Sequence, residues 1–201
     1  MTRHIERQID NLKERILRVG TMVEEAISKS ITALINRDVQ LAQRVMANDE
    51  AIDRMEVEVE EECLKILALY QPVAADLRFV VSALKINNDL ERMGDLAKNI
   101  AKRVAQLADQ RQVELPPEIR LMAMQAQEMV KQCLDAVDEG RQRIQRLVMK
   151  GIKEDPENAE ALLRINSVSK HIERLADMAT NIAEDVVYMV EGDIVRHRAE
   201  A

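Results

Sequence analysis

Residues 89–100 read DLERMGDLAKNI and residues 171–182 read HIERLADMATNI. Six of the twelve positions are identical, and four more exchange one small or apolar residue for another. Each copy keeps a glutamate, an aspartate and an asparagine four residues apart: Glu91, Asp95 and Asn99, then Glu173, Asp177 and Asn181. On an α-helix that step puts all three on one face. Like charges four apart cost an isolated helix roughly 0.2–0.5 kcal/mol per pair. A chain that repeats this cost needs a reason for the face.

The composition around the two copies is that of long helices. The chain of 201 residues has no Trp, one Phe and two Tyr, and only five Gly and four Pro. Neither breaker occurs from Thr21 to Gln71, a span too long for a β architecture with frequent turns. The fold class expected is therefore all-α. A formal charge of −7, a pI near 5.2 and so few aromatic rings argue against nucleic acid as a partner. The opening MTRHIERQIDNLKERI lacks an apolar h-region and no window reads as a membrane span, so a soluble, cytoplasmic protein is expected. Cys63 and Cys133 are isolated among helical apolar positions, as buried thiols in a reducing compartment would be.

Apolar residues from Ile5 to Leu34 recur at steps of three or four and predict a first helix. Asp38 is placed to cap a second, with a seam through Leu41, Val45, Ile52, Met55, Val59, Ile66 and Tyr70; Pro72 ends it. A third helix from about Val73 carries the first copy of the motif. Short turns make these three an antiparallel bundle. The polar and proline-rich segment 109–117 reads as a linker between a first repeat, 1–110, and a second, 117–195. In the second repeat a helical run from Glu118 passes a weak break at Gly140. Asp155-Pro156 then reads as the start of the helix carrying the second copy. The chain is thus a tandem repeat of helical bundles.

If the second and third helices turn at Pro72, residues equidistant from it face each other, which pairs Asp53 with Glu91 and Asp49 with Asp95. Glu56 and Glu60 extend the same face. Crowded carboxylates are tolerated where cations neutralise them or their pKa values rise. Oxygen donors without His or Cys suit Mg, Mn, Ca or carboxylate-bridged Fe, and the ExxH step of ferritin-type centres does not occur. The residues leave a metal site and a merely acidic groove both open. Arg92 and Arg174 sit where they can pair with neighbouring carboxylates, and His171 is expected at the surface.

The stretches LERMGDLAKNIAKRV (Leu90 to Val104), IERLADMATNIAEDVVYMVEG (Ile172 to Gly192) and QPVAADLR (Gln71 to Arg78) resemble the PhoU family of phosphate-transport and phosphate-signalling regulators. The resemblance implies tandem three-helix bundles with an E/DxxxD motif in each. It implies metal ligands at Glu91, Asp95, Glu173 and Asp177, with Asp49 and Asp53 as partners, the ion being a divalent or trivalent metal: Fe, Zn, Mn, Mg or Ca. It also implies a cytoplasmic, non-enzymatic homodimer that represses phosphate-starvation genes, its partners the ATPase of the phosphate ABC transporter and a sensor histidine kinase. The second repeat departs from the pattern: it lacks about 25 residues near Asp138-Glu139-Gly140, where counterparts of Asp49 and Asp53 belong. Either the bundle is shortened or a segment is missing from the numbering; Asp135 and Glu139 are the nearby replacement acids. Rival readings are a carboxylate-bridged metal-dependent hydrolase, for which no nucleophile or phosphate loop is found, and a passive scaffold.

Overall fold

The computed structural model describes residues 2–108, 116–129 and 159–191. Among them are five α-helices and no strand: α1 (Thr2–Asn36), α2 (Val39–Tyr70), α3 (Ala74–Ala108), α4 (Pro117–Met129) and α5 (Ala159–Glu191). The weak break at Gly140, the Asp155-Pro156 helix start and Cys133 lie outside the described residues.

The boundaries follow from local chemistry. Arg37 takes a left-handed φ of 53°, which lets the Asp38 N–H reach the Ala33 carbonyl at 2.9 Å and the Arg37 N–H reach Leu34 at 3.4 Å. Two carbonyls left over at the end of α1 are satisfied this way. Asp38 then starts α2, its Oδ1 accepting from the Leu41 N–H at 2.9 Å. At the far end Gln71 turns left-handed (φ 46°, ψ 58°) and Pro72 follows, so the chain reverses into α3. Ala74 also has a positive φ, 49°, a conformation that costs a non-glycine residue of order 1–3 kcal/mol.

The seam of α1 is buried at Ile9, Leu12, Val19, Val23, Ile27, Ile31 and Leu34, and that of α2 at Val45, Ile52, Val59 and Ile66. Full burial of each such side chain contributes about 1.5–3 kcal/mol. α3 is buried on more than one side, because it packs on α1, α2 and α5. α4 lies against α5 and touches α1. α3 and α5 run antiparallel: Lys85 meets Asp185 near one end of the pair and Gln106 meets Arg164 near the other. No described helix is long and apolar enough to cross a membrane.

Two glycines test this packing with opposite signs. A Cβ on Gly94 would stand 3.3 Å from Ile52 Cγ2 and 3.9 Å from Val23 Cγ2, where side chains of α2 and α1 meet α3; one on Gly20, in α1, would meet nothing within 4 Å among the described residues. Gly94→Val should cost roughly 1–3 kcal/mol by overpacking, whereas Gly20→Ala should add about 0.4–1 kcal/mol. Urea denaturation measures both, and a stabilised Gly94→Val would refute the three-helix junction.

Candidate metal centre

Asp49 stands one helical turn from Val45 and Ile52 on the buried seam of α2, with 3% of its surface exposed. A carboxylate held there must be matched by a cation. Lys98 of α3 supplies it: its ammonium donates to Asp49 Oδ2 and lies 3.9 Å from Asp95 Oδ1. The hydrogen bond to Asp49 is the main reason that the Lys98 pKa is raised.

Three further acids gather round this pair. Burial raises the Asp53 pKa, and Asp49 and Asp95 raise it further while Lys98 opposes them. Burial likewise raises Glu91, with Asp95, Asp53, Glu56 and Asp49 adding to it in that order. Asp53 thus feels Asp49 and Asp95, and Glu91 feels Asp95, Asp53 and Asp49. Glu56 continues the patch, raised by burial and then by Glu60 and Asp53. Asn87, buried on α3, donates to the Glu56 backbone carbonyl at 2.9 Å and reaches its carboxylate at 3.4 Å. Contacts of 87 with 56 and of 98 with 49 put the hairpin register within a turn of the pairing read from Pro72.

A hard cation suits this donor set, since the acids are all carboxylates and the one cation hydrogen-bonded among them is a lysine. Among the described residues, no three His, Cys, Asp or Glu side chains are arranged to hold an ion. The second motif lies on α5, with Glu173 half-buried and Asp177 and Asn181 exposed. Asp135 and Glu139 lie outside the described residues. Arg92 pairs with Asp89 at 3.6 Å, whereas Arg174 has no ion pair among the described residues. His171 is half-buried rather than a surface residue, because it packs where α5 meets Arg103 of α3.

Lys98 escaped the sequence reading because it is not shared between the copies: Thr180 stands at its place in the second, its hydroxyl donating to the Ala176 carbonyl at 3.3 Å. The available signal was Asp49 itself, an acid on an apolar seam that requires a basic partner across the hairpin.

The family model of the PhoU domain matches residues 16–104 and again residues 123–186. The chain belongs to the PhoU family. A phosphate-specific transport system accessory protein PhoU homolog of Aquifex aeolicus is 36% identical, covering 96% of this chain and 95% of that one. The PhoU homolog of Pseudomonas aeruginosa is also 36% identical, over 98% of this chain and 91% of its own. The crystal structure of PhoU from Pseudomonas aeruginosa superposes with a TM-score of 0.87 at 34% identity, covering 94% of this chain and 99% of that one. The phosphate transport system regulatory protein PhoU from Streptococcus pneumoniae gives 0.77 at 27% identity, covering 95% and 99%. These two structures are PhoU proteins, so the helical bundle described above is the PhoU fold.

Removing the lysine tests the centre. In chelator-treated protein at neutral pH, Lys98→Met should cost roughly 1–3 kcal/mol, less than a fully buried pair because the Lys98 side chain is 43% exposed. Adding Asp49→Leu should restore most of that stability, as followed by urea denaturation; a neutral Lys98→Met would mean that Asp49 does not need its ammonium.

Proposed function

We propose that this protein is a regulatory adaptor of phosphate uptake and phosphate-starvation signalling, acting without catalysis. The observation that carries the reading is the family match in both halves of the chain, to proteins named as accessory or regulatory components of phosphate transport. In this reading the protein works in the cytoplasm as a homodimer. It represses the starvation response when phosphate is plentiful, through the ATPase of the phosphate ABC transporter and a sensor histidine kinase. Deleting the gene and following a phosphate-starvation reporter tests it: expression should become independent of phosphate, and unchanged repression defeats the proposal.

Asp49, Asp53, Glu91 and Asp95 would hold a divalent or trivalent metal ion in the first repeat, and Glu173 with Asp177 would contribute to a second site. Bound there, the ion would supply positive charge that lets crowded carboxylates of α2 and α3 stay ionised. Raised pKa values at Asp53 and Glu91 support this, because burial first and neighbouring carboxylates second disfavour their charged forms, which a bound cation would favour.

Neutralising one acid separates this centre from a passive acidic face. Without added metal, Asp53→Asn and Glu91→Gln should each raise the thermal midpoint at pH 7 by removing repulsion. In Mn, Zn or Fe the ranking should reverse, with wild type gaining most. Differential scanning calorimetry gives the readout, and a wild type indifferent to all three ions would sink the metal assignment.

A further inference from the structure

The repeat makes α3 and α5 local mates, so a contact between them has a counterpart with the two helices exchanged. Lys85 of α3 faces Asp185 of α5 at 3.6 Å and lies 5.5 Å from the centre of the Tyr188 ring. Moving Lys85 and Asp185 by the repeat spacing lands on Ser167 and Arg103. One end of the crossing therefore holds acids, with Asp89, Glu184 and Asp185 lining a cleft of about 510 Å³ beside Lys85. At the other end the same backbone relationship carries bases, with His171 in place of Asp89 and Arg103 in place of Asp185.

On α5, Glu160, Arg164, Ser167, His171 and Arg174 recur at steps of three or four and share one face. That face reaches α3, since Gln106 Oε1 accepts from Arg103 Nη1 at 3.0 Å and also from Arg164 Nη1. Two guanidinium groups thus meet on one neutral oxygen, where proteins ordinarily place a carboxylate. Glu160 accepts from Arg164, but neither Arg103 nor Arg174 has an ion pair among the described residues. Arg164 Nε and His171 Nδ1 are buried without a hydrogen-bond partner among the described residues. Ser167 Oγ lies 3.4 Å from His171 Nε2. Burial lowers the His171 pKa, and Arg103 and Arg174 lower it further, so the imidazole offers a hydrogen bond without adding to the repulsion.

We propose that this edge of the α3–α5 pair binds a small, doubly charged oxyanion, inorganic phosphate in the first instance, with Arg103 and Arg174 as its cationic partners and Ser167 and His171 as neutral ones. A tetrahedral oxyanion has acceptors enough for several forks at once and replaces the missing counter-charge. The acidic end is excluded by its charge. The assignment does not depend on the regulatory reading, because it concerns what the purified chain binds.

Isothermal titration of the full chain, kept in chelator so that no metal can bridge, decides the matter with inorganic phosphate, sulfate and phosphoserine as probes and chloride as the ionic-strength control. Phosphate should bind saturably. Arg103→Gln and Arg174→Gln should each weaken it about tenfold, the scale of one charge-assisted contact, and the double variant should abolish it. Arg103→Lys, which keeps the charge but loses the fork, should fall between. Arg92→Gln, the first-repeat counterpart of Arg174, should bind as wild type does. Arg174 is exposed, so its substitution should leave the helical circular dichroism intact. Absence of saturable phosphate binding, retention of it in the double variant, or binding of phosphoserine alone would each overturn the proposal.

Discussion

The burial of α3 against three neighbours at once governs the rest of the molecule. A helix that packs on α1, α2 and α5 keeps only a narrow solvated stripe through Lys85, Asn88, Arg92, Asp95 and Lys102, so polar side chains off that stripe need partners within the protein. Asn87 finds Glu56 across the hairpin, and Asp89 finds Arg92 one turn along. The acidic motif lies on the α2 side, where a second helix contributes acids of its own. The basic residues lie at the edge shared with α5. Two polar regions of opposite charge thus lie on different sides of α3, the acidic one reaching into the apolar seam of α2 at Asp49.

Both strongly buried aspartates at these helix junctions are handled alike. Asp49 is met by Lys98 and Asp185 by Lys85, and each lysine side chain remains 43% exposed while its aspartate is 2–4% exposed. A lysine can lay its methylene stem along the packed surface and keep its ammonium near water. As a point charge on a flexible stem it holds its partner less rigidly than a guanidinium fork would. The proposed metal ion would thus replace the ammonium at Asp49 without unpacking the helices, whereas an arginine there would tie the compensation to a fixed geometry.

Much of the fold was legible in the chain because helices announce their buried face by periodicity. The turn at Asn36-Arg37-Asp38 and the reversal at Pro72 were legible because capping and proline sterics act locally. The gathering of Asp49, Asp53, Glu91 and Asp95 followed from counting outward from that reversal, which works when two helices are straight and joined tightly. Lys98 and the stripe from Arg164 to Arg174 were not found the same way. Both depend on rotation about the helix axis and on which neighbour covers a face, and periodicity does not contain that information. His171 shows the limit: its spacing from Glu173 put it on another face, and only the α3–α5 crossing decides that this face is half-buried.

Duplication supplied a frame, and charge was then written differently on its two halves. Apolar positions of the motif exchange only among similar residues, since Leu90 and Ile172, or Met93 and Leu175, must fill the same space. Gly94 becomes Ala176 where packing leaves room for a methyl group. By contrast Lys85 answers to Ser167, Asp89 to His171, Lys98 to Thr180 and Arg103 to Asp185. None of these exchanges alters the backbone, and each changes what the surrounding surface attracts. Glu91, Asp95 and Asn99 are kept in both copies, so the chemistry common to the halves lies with the carboxylates. What separates the halves lies at the two ends of the α3–α5 crossing.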